Sequence, residues 1–107
     1  MKRNVGETVY KYTLRKGKMF IHEGTVIEGL FNVKCVVFKD QSATDRLPCD
    51  DDFGKVDTKG TSLWLAERDD ELARHLFVAY EEHSIAKLQE MINKKTKLIE
   101  DLKSGVA

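Results

Sequence analysis

The stretch LPCDDDFGKVDTKG, residues 47 to 60, carries Asp50, Asp51, Asp52 and Asp57. Carboxylates set this close can hold a hard cation, face a basic partner or simply hydrate. A calcium loop places acids at positions 1, 3 and 5, glycine at 6 and a bidentate glutamate at 12. Counted from Asp50, Gly54 falls at position 5 and Thr61 at position 12, so that template is not met. Aspartates also start turns by accepting bonds from nearby backbone amides, and Gly54 allows the left-handed geometry that a turn requires. The residue types therefore describe a surface connection first and a cation site second.

The tripeptide Asp52-Phe53-Gly54 matches the magnesium-binding DFG of protein kinases. That chemistry also needs a glycine-rich phosphate loop, a strand lysine and a catalytic loop, none of which 107 residues supply here. His75 and His83 are eight apart, beyond the i, i+4 spacing of a helical metal pair, and His22 lies in a strand whose face the pattern does not assign. No histidine accompanies a recognisable nucleophile. Gly24 and Gly29 lack the Gly-Lys-Ser/Thr ending of a phosphate loop. Two cysteines, Cys35 in the apolar run FNVKCVVF and Cys49 in the acidic loop, make neither a disulfide framework nor zinc-ligand spacing. The sequence predicts no catalytic residue, no metal site and no cofactor.

Net charge is zero but unevenly spread. Residues 1 to 39 carry eight Lys/Arg against three Glu, +5, and residues 40 to 71 carry four against ten Asp/Glu, −6. Two binding chemistries follow. Asp50, Asp51 and Asp52, with Phe53 and Trp64 as aromatic anchors, make a candidate contact for a basic protein surface. Lys11, Arg15, Lys16 and Lys18, interleaved with Tyr10 and Tyr12, make a candidate nucleic-acid surface, although both tyrosines share a face with Leu14 and so fit a core as well.

The elements that position these groups are legible from periodicity. ETVYKYTLR alternates with Tyr10, Tyr12 and Leu14 on one face. MFIHEGTVIEG forms a second strand, with Gly24 read as a bulge or bend. In LFNVKCVVFKD, Phe31, Val33, Cys35 and Val37 share one face, with Val36 and Phe38 on the other. After an acidic loop at 40–61, SLWLAE makes a short fourth strand. The expected class is α+β: a small, curled antiparallel or barrel-like head of about four strands over residues 1–68, then a C-terminal helix over 69–104. Asp69 is the expected N-cap, and Lys103 to Gly105 the expected end.

The helix pattern changes along its length. Leu72, Ala73, Leu76, Phe77, Ala79 and Tyr80 make a wide stripe suited to packing on a sheet. Ile85, Leu88, Ile92, Lys95, Ile99 and Leu102 then follow strict four-three spacing, the narrower seam of a helix pair. Self-association through Ile85, Leu88, Ile92, Ile99 and Leu102 is the expectation.

The β-rich head followed by a charged helical tail resembles, in size and layout, small accessory proteins encoded by bacteriophages and prophages. The resemblance implies a non-catalytic role, binding and inhibiting a host protein or acting in assembly. No apolar run of about 20 residues is present to span a bilayer, and MKRNVGETVYKY lacks a signal-peptide core, so a cytoplasmic location is expected. The leading reading is an oligomeric binding module, followed by a small nucleic-acid-binding protein, then a ligand-sequestering oligomer or small enzyme.

Overall fold

The computed structural model describes residues 3–41 and 44–105. Strands Thr8–Arg15 (β1) and Lys18–Glu28 (β2) form a hairpin whose two linking residues, Lys16 and Gly17, both have positive φ, 51° and 77°. That is the backbone pattern of a two-residue primed turn, whose twist matches the strands it joins. Lys34–Phe38 (β3) pairs with β2, Thr44–Arg46 (β4) with β3, and Ser62–Leu65 (β5) with β1. The sheet order is β4-β3-β2-β1-β5, all neighbours antiparallel, and one helix, Asp70–Lys103 (α1), follows.

The fold is thus α+β as expected, but the sheet is open rather than barrel-like, and it has five strands rather than four. Its edges, β4 and β5, are three and four residues long and lie at opposite ends of the order, so they do not close on one another. The additional strand reads Thr-Asp-Arg. A polar edge strand carries no apolar alternation, and such polarity is how edges avoid pairing with other chains.

Both faces of the sheet are packed. Tyr12 lies opposite Ile21 and Leu63, and Tyr10 opposite Leu65; this face is covered by Ala73, Leu76 and Phe77 of α1. The other face holds Val9, Val26, Val36, Phe38 and Trp64, and is covered by Leu47 and Phe53. The acidic connection therefore contributes a phenyl ring to a core. In β3 the buried residues are Val36 and Phe38, while Val37 is exposed and Phe31 lies outside the strand in a 3-10 turn, Leu30–Asn32. The register decides this: Val36 pairs with Val26, and Phe38 with Gly24, beside Val9.

Gly24 is not a bulge. It pairs in unbroken register with Val9 and Phe38. A methyl group there would lie 2.9 Å from Phe38 Cδ1 and closer still to Val36 Cγ1, so glycine is required because two core side chains lie across its backbone.

Tyr12 fixes the start of the helix. Its hydroxyl donates to Asp70 Oδ1 at 2.8 Å and accepts from the Asp69 N–H at 3.0 Å. Arg68 holds the same carboxylate through Nε and Nη2, at 3.3 and 3.2 Å. Asp69 Oδ1 accepts from the Leu72 N–H at 3.0 Å, the N-cap bond that its position in the sequence predicts. The helix ends as expected, with Gly105 at φ 77° bonding back to the Leu102 carbonyl. The chain divides into two compact units, Met1–Phe77 and Val78–Ala107.

Two outcomes follow. Gly24→Ala should lower stability by about 1–3 kcal/mol in chemical denaturation, the cost of overpacking a filled core. Burial, then the bond to Asp70, pushes the Tyr12 phenol up to about 12, above its ordinary value near 10. The neutral phenol is therefore favoured in the folded state, and its contribution is complete below about pH 10 and lost as pH rises through about 12. Urea denaturation across that range should show the loss, and Tyr12→Phe should flatten it.

Candidate functional site

The seam residues lie within the second unit, and none is buried. Ile85, Leu88, Met91, Ile92, Leu98, Ile99 and Leu102 are each between 52% and 66% exposed. Aliphatic side chains at four-three spacing on a helix fall along one face, and in water such a face gains from covering. Polar residues flanking it bond locally: Gln89 Nε2 donates to Asn93 Oδ1 at 3.2 Å, and Thr96 Oγ1 donates to the Ile92 carbonyl at 2.8 Å.

On the head, the acidic stretch is a folded connection. Asp50–Asp52 form a 3-10 turn, held by Asp52 N–H to the Cys49 carbonyl at 2.9 Å and Phe53 N–H to the Asp50 carbonyl at 3.2 Å. Gly54 N–H donates to the Trp64 carbonyl at 2.9 Å, fastening the turn to β5. Asp57 Oδ1 accepts from the Thr61 and Ser62 amides at 2.9 and 3.1 Å, so its carboxylate is committed to a turn. Asp51 and Asp52 are exposed. Trp64, only 9% exposed, belongs to the core, with Phe38 at 5.8 Å and Phe53 at 6.2 Å between ring centroids. Phe53 packs against the core cluster that holds Trp64. Among the described residues, no group of three or more His, Cys, Asp or Glu is placed to hold a metal ion.

The basic candidates separate. Lys11 lies in the middle of β1, its Nζ 2.7 Å from Asp45 Oδ2 and 5.5 Å from the Trp64 ring. Arg15, Lys16 and Lys18 are exposed at the hairpin tip, near an exposed Phe20. Tyr12 is core, and Tyr10 packs against it from the same face. The tyrosines are therefore not a stacking platform.

His22, which the sequence could not place, is the centre of a polar chain. Its Nε2 is 3.3 Å from Thr13 Oγ1, and its Nδ1 is 2.8 Å from Asp40 Oδ2. The bond from His22 holds the Asp40 carboxyl below its ordinary range. The arrangement ties the residues just after β3 to the middle of β2. Pairing across strands brought these residues together; their spacing in the chain, nine and eighteen positions, carries no signal.

Sequence reasoning also missed the most exposed apolar feature of the head. Leu30 is 83% exposed and Phe31 95% exposed, and Phe31 and Asn32 have positive φ, 57° and 60°. A bulky side chain in the left-handed region is held against its own preference. The turn is fixed by Gly29 N–H to the Val33 carbonyl at 2.7 Å and Val33 N–H to the Leu30 carbonyl at 3.2 Å. As part of an assumed strand, Phe31 looked like core. Among the described residues no helix is long and apolar enough to cross a membrane.

Comparison with protein-family models, curated proteins and solved structures finds no match to this chain.

The Phe31 ring is not needed for folding. Phe31→Gly should leave stability unchanged or raise it by up to about 1 kcal/mol, since relief of the left-handed strain offsets the added freedom of the unfolded chain. A fall of about 3 kcal/mol in denaturation, the scale of a buried phenyl, would contradict this.

Proposed function

We propose that the chain is a non-catalytic binding module that works as a self-associated pair, the helix joining two copies while the heads meet a macromolecular partner. The observation that carries this reading is the row of exposed aliphatic side chains at 85, 88, 92, 99 and 102. It is also the role implied by the layout's likeness to phage accessory proteins. On each head, exposed Asp51 and Asp52 on a turn fastened to β5 form a carboxylate rim suited to a basic protein surface.

The second copy fits best antiparallel. In a parallel pair each Lys95 would meet the partner's Lys95 inside the seam, placing like charges together. Run antiparallel, Ile85 faces the partner's Leu102, Leu88 the partner's Ile99, and Lys95 the partner's Ile92. The lysine stem then covers aliphatic surface while its ammonium reaches water. The flanks agree with this register: Met91 approaches the partner's Leu98, and Glu82 the partner's Lys103.

Light scattering should give a dimer mass for the full chain, and Ile92→Asp with Ile99→Asp should give a monomer; an unchanged mass would remove the seam. With Cys35 and Cys49 replaced by serine, mild oxidation should cross-link the Ile85→Cys/Leu102→Cys variant and leave Ile85→Cys alone uncross-linked. The reverse result for the single variant would establish a parallel pair.

A further inference from the structure

The sheet face that holds Val9, Val36 and Trp64 is covered only in part. Alternate residues of each strand share it, and the register sets Lys11 opposite His22, Thr13 opposite Phe20 and Arg15 opposite Lys18. In β5, Trp64 and Ser62 lie opposite Lys11 and Thr13 on the same face. Leu47 and Phe53 cover the Trp64 end. Toward the β1–β2 turn that cover gives way to a shallow concavity of about 320 Å³, lined in part by Thr13, Arg15, Phe20, His22 and Ser62. β3 pairs with β2 only along Gly24–Glu28, so among the described residues no strand flanks Phe20 on that side.

Tyr10 and Tyr12 pack on the opposite face, and Phe20 is the exposed ring of this one. It is 44% exposed and belongs to neither core cluster. The floor beside it is held in place, with His22 Nε2 3.3 Å from Thr13 Oγ1 and the His22 ring edge-on to Phe38, 6.0 Å between centroids. The cations stand next to it. Arg15 and Lys18 are cross-strand partners with Lys16 in the turn between them, and all three are exposed. Like charges directly opposite each other destabilise a ladder. Elsewhere the head pairs its cations with carboxylates: Lys11 with Asp45, Lys39 with Glu23, and Arg68 with Asp70. Among the described residues no carboxylate pairs with Arg15, Lys16 or Lys18, and no Asp or Glu lines the concavity. Two carboxylates bond to side chains of this face, Asp40 to His22 and Asp45 to Lys11, and both are engaged by those bonds. A polyanion along the turn would relieve the repulsion between Arg15 and Lys18, and an unshielded ring beside it gives a base a surface to stack on.

We propose that this corner of the sheet binds single-stranded nucleic acid, one base stacking on Phe20 while the backbone phosphates meet Arg15, Lys16 and Lys18. The surface lies wholly within the first unit, so its test is independent of self-association. The full chain is titrated into an end-labelled oligo-dT of about twelve residues, with a duplex of the same length and an oligo-glutamate peptide as competitors. Saturable binding in the micromolar range at low salt is expected, and unlabelled oligo-dT should displace the probe at about tenfold lower concentration than either competitor. In the ¹⁵N-labelled chain the shifted amides should lie around Thr13, Phe20 and Ser62.

Phe20→Leu, which keeps an apolar side chain but removes the ring, should weaken oligo-dT binding by about tenfold, and Phe20→Trp should restore it. Arg15→Gln should lower the salt slope by about 0.7, whereas Lys87→Gln on the helix, with the same loss of charge, should leave it unchanged. Absence of saturable binding, or Phe20→Leu binding as tightly as the natural chain, would overturn the proposal. So would equal salt slopes for Arg15→Gln and Lys87→Gln. Displacement by oligo-glutamate at the same concentration as oligo-dT would also overturn it, and would make an acidic peptide the occupant of this face.

Discussion

The head is organised around one phenol. Tyr12 sits in β1, a strand that pairs on both sides, and its hydroxyl both donates to Asp70 and accepts from the Asp69 amide. A buried hydroxyl must find partners, and here the partners are the first backbone and side-chain groups of the helix. Helix entry is thereby set by the sheet. Once it is set, Ala73 and Phe77, one and two turns on, come down on Tyr12, Leu63 and Leu65. Arg68 completes the arrangement by holding Asp70 ionised, and that carboxylate is also favoured at a helix N-terminus.

The same strand shows why the sheet tolerates so varied a surface. With α1 on one face and the 47–53 connection on the other, the sheet buries Val9, Val26, Val36, Phe38 and Trp64 opposite the Tyr12 layer. Two thin cores share one set of strands. That leaves little room for error in volume, and Gly24 marks where the limit is reached. It also gives the acidic loop a structural part: Asp57 builds its turn, and Phe53 packs on Trp64.

What remains after folding is accounted for lies in two places: the aliphatic face of the helix beyond Phe77 and the Leu30–Phe31 turn. Each goes against a rule that the rest of the head obeys. Apolar side chains are exposed, and a phenylalanine occupies the left-handed region. Departures of this kind are expected where a surface serves a contact rather than the fold.

The sequence by itself determined what depends on local period and local chemistry. Tyr10, Tyr12 and Leu14 share a face because strand side chains alternate; Asp69 caps α1 because a short carboxylate reaches a free amide two or three residues on; the 85–102 seam follows from four-three spacing. The tertiary structure alone decided everything that depends on register between distant strands. It put Val36 and Phe38 inside instead of Val37, made a strand of Thr-Asp-Arg, buried Trp64, and left the sheet open. It also brought His22 to Asp40, and Lys34 to the Arg3 carbonyl. The physical reason is that periodicity reports which residues of one element face the same way, whereas a site assembled from several elements is fixed by their pairing, of which no single stretch carries a record.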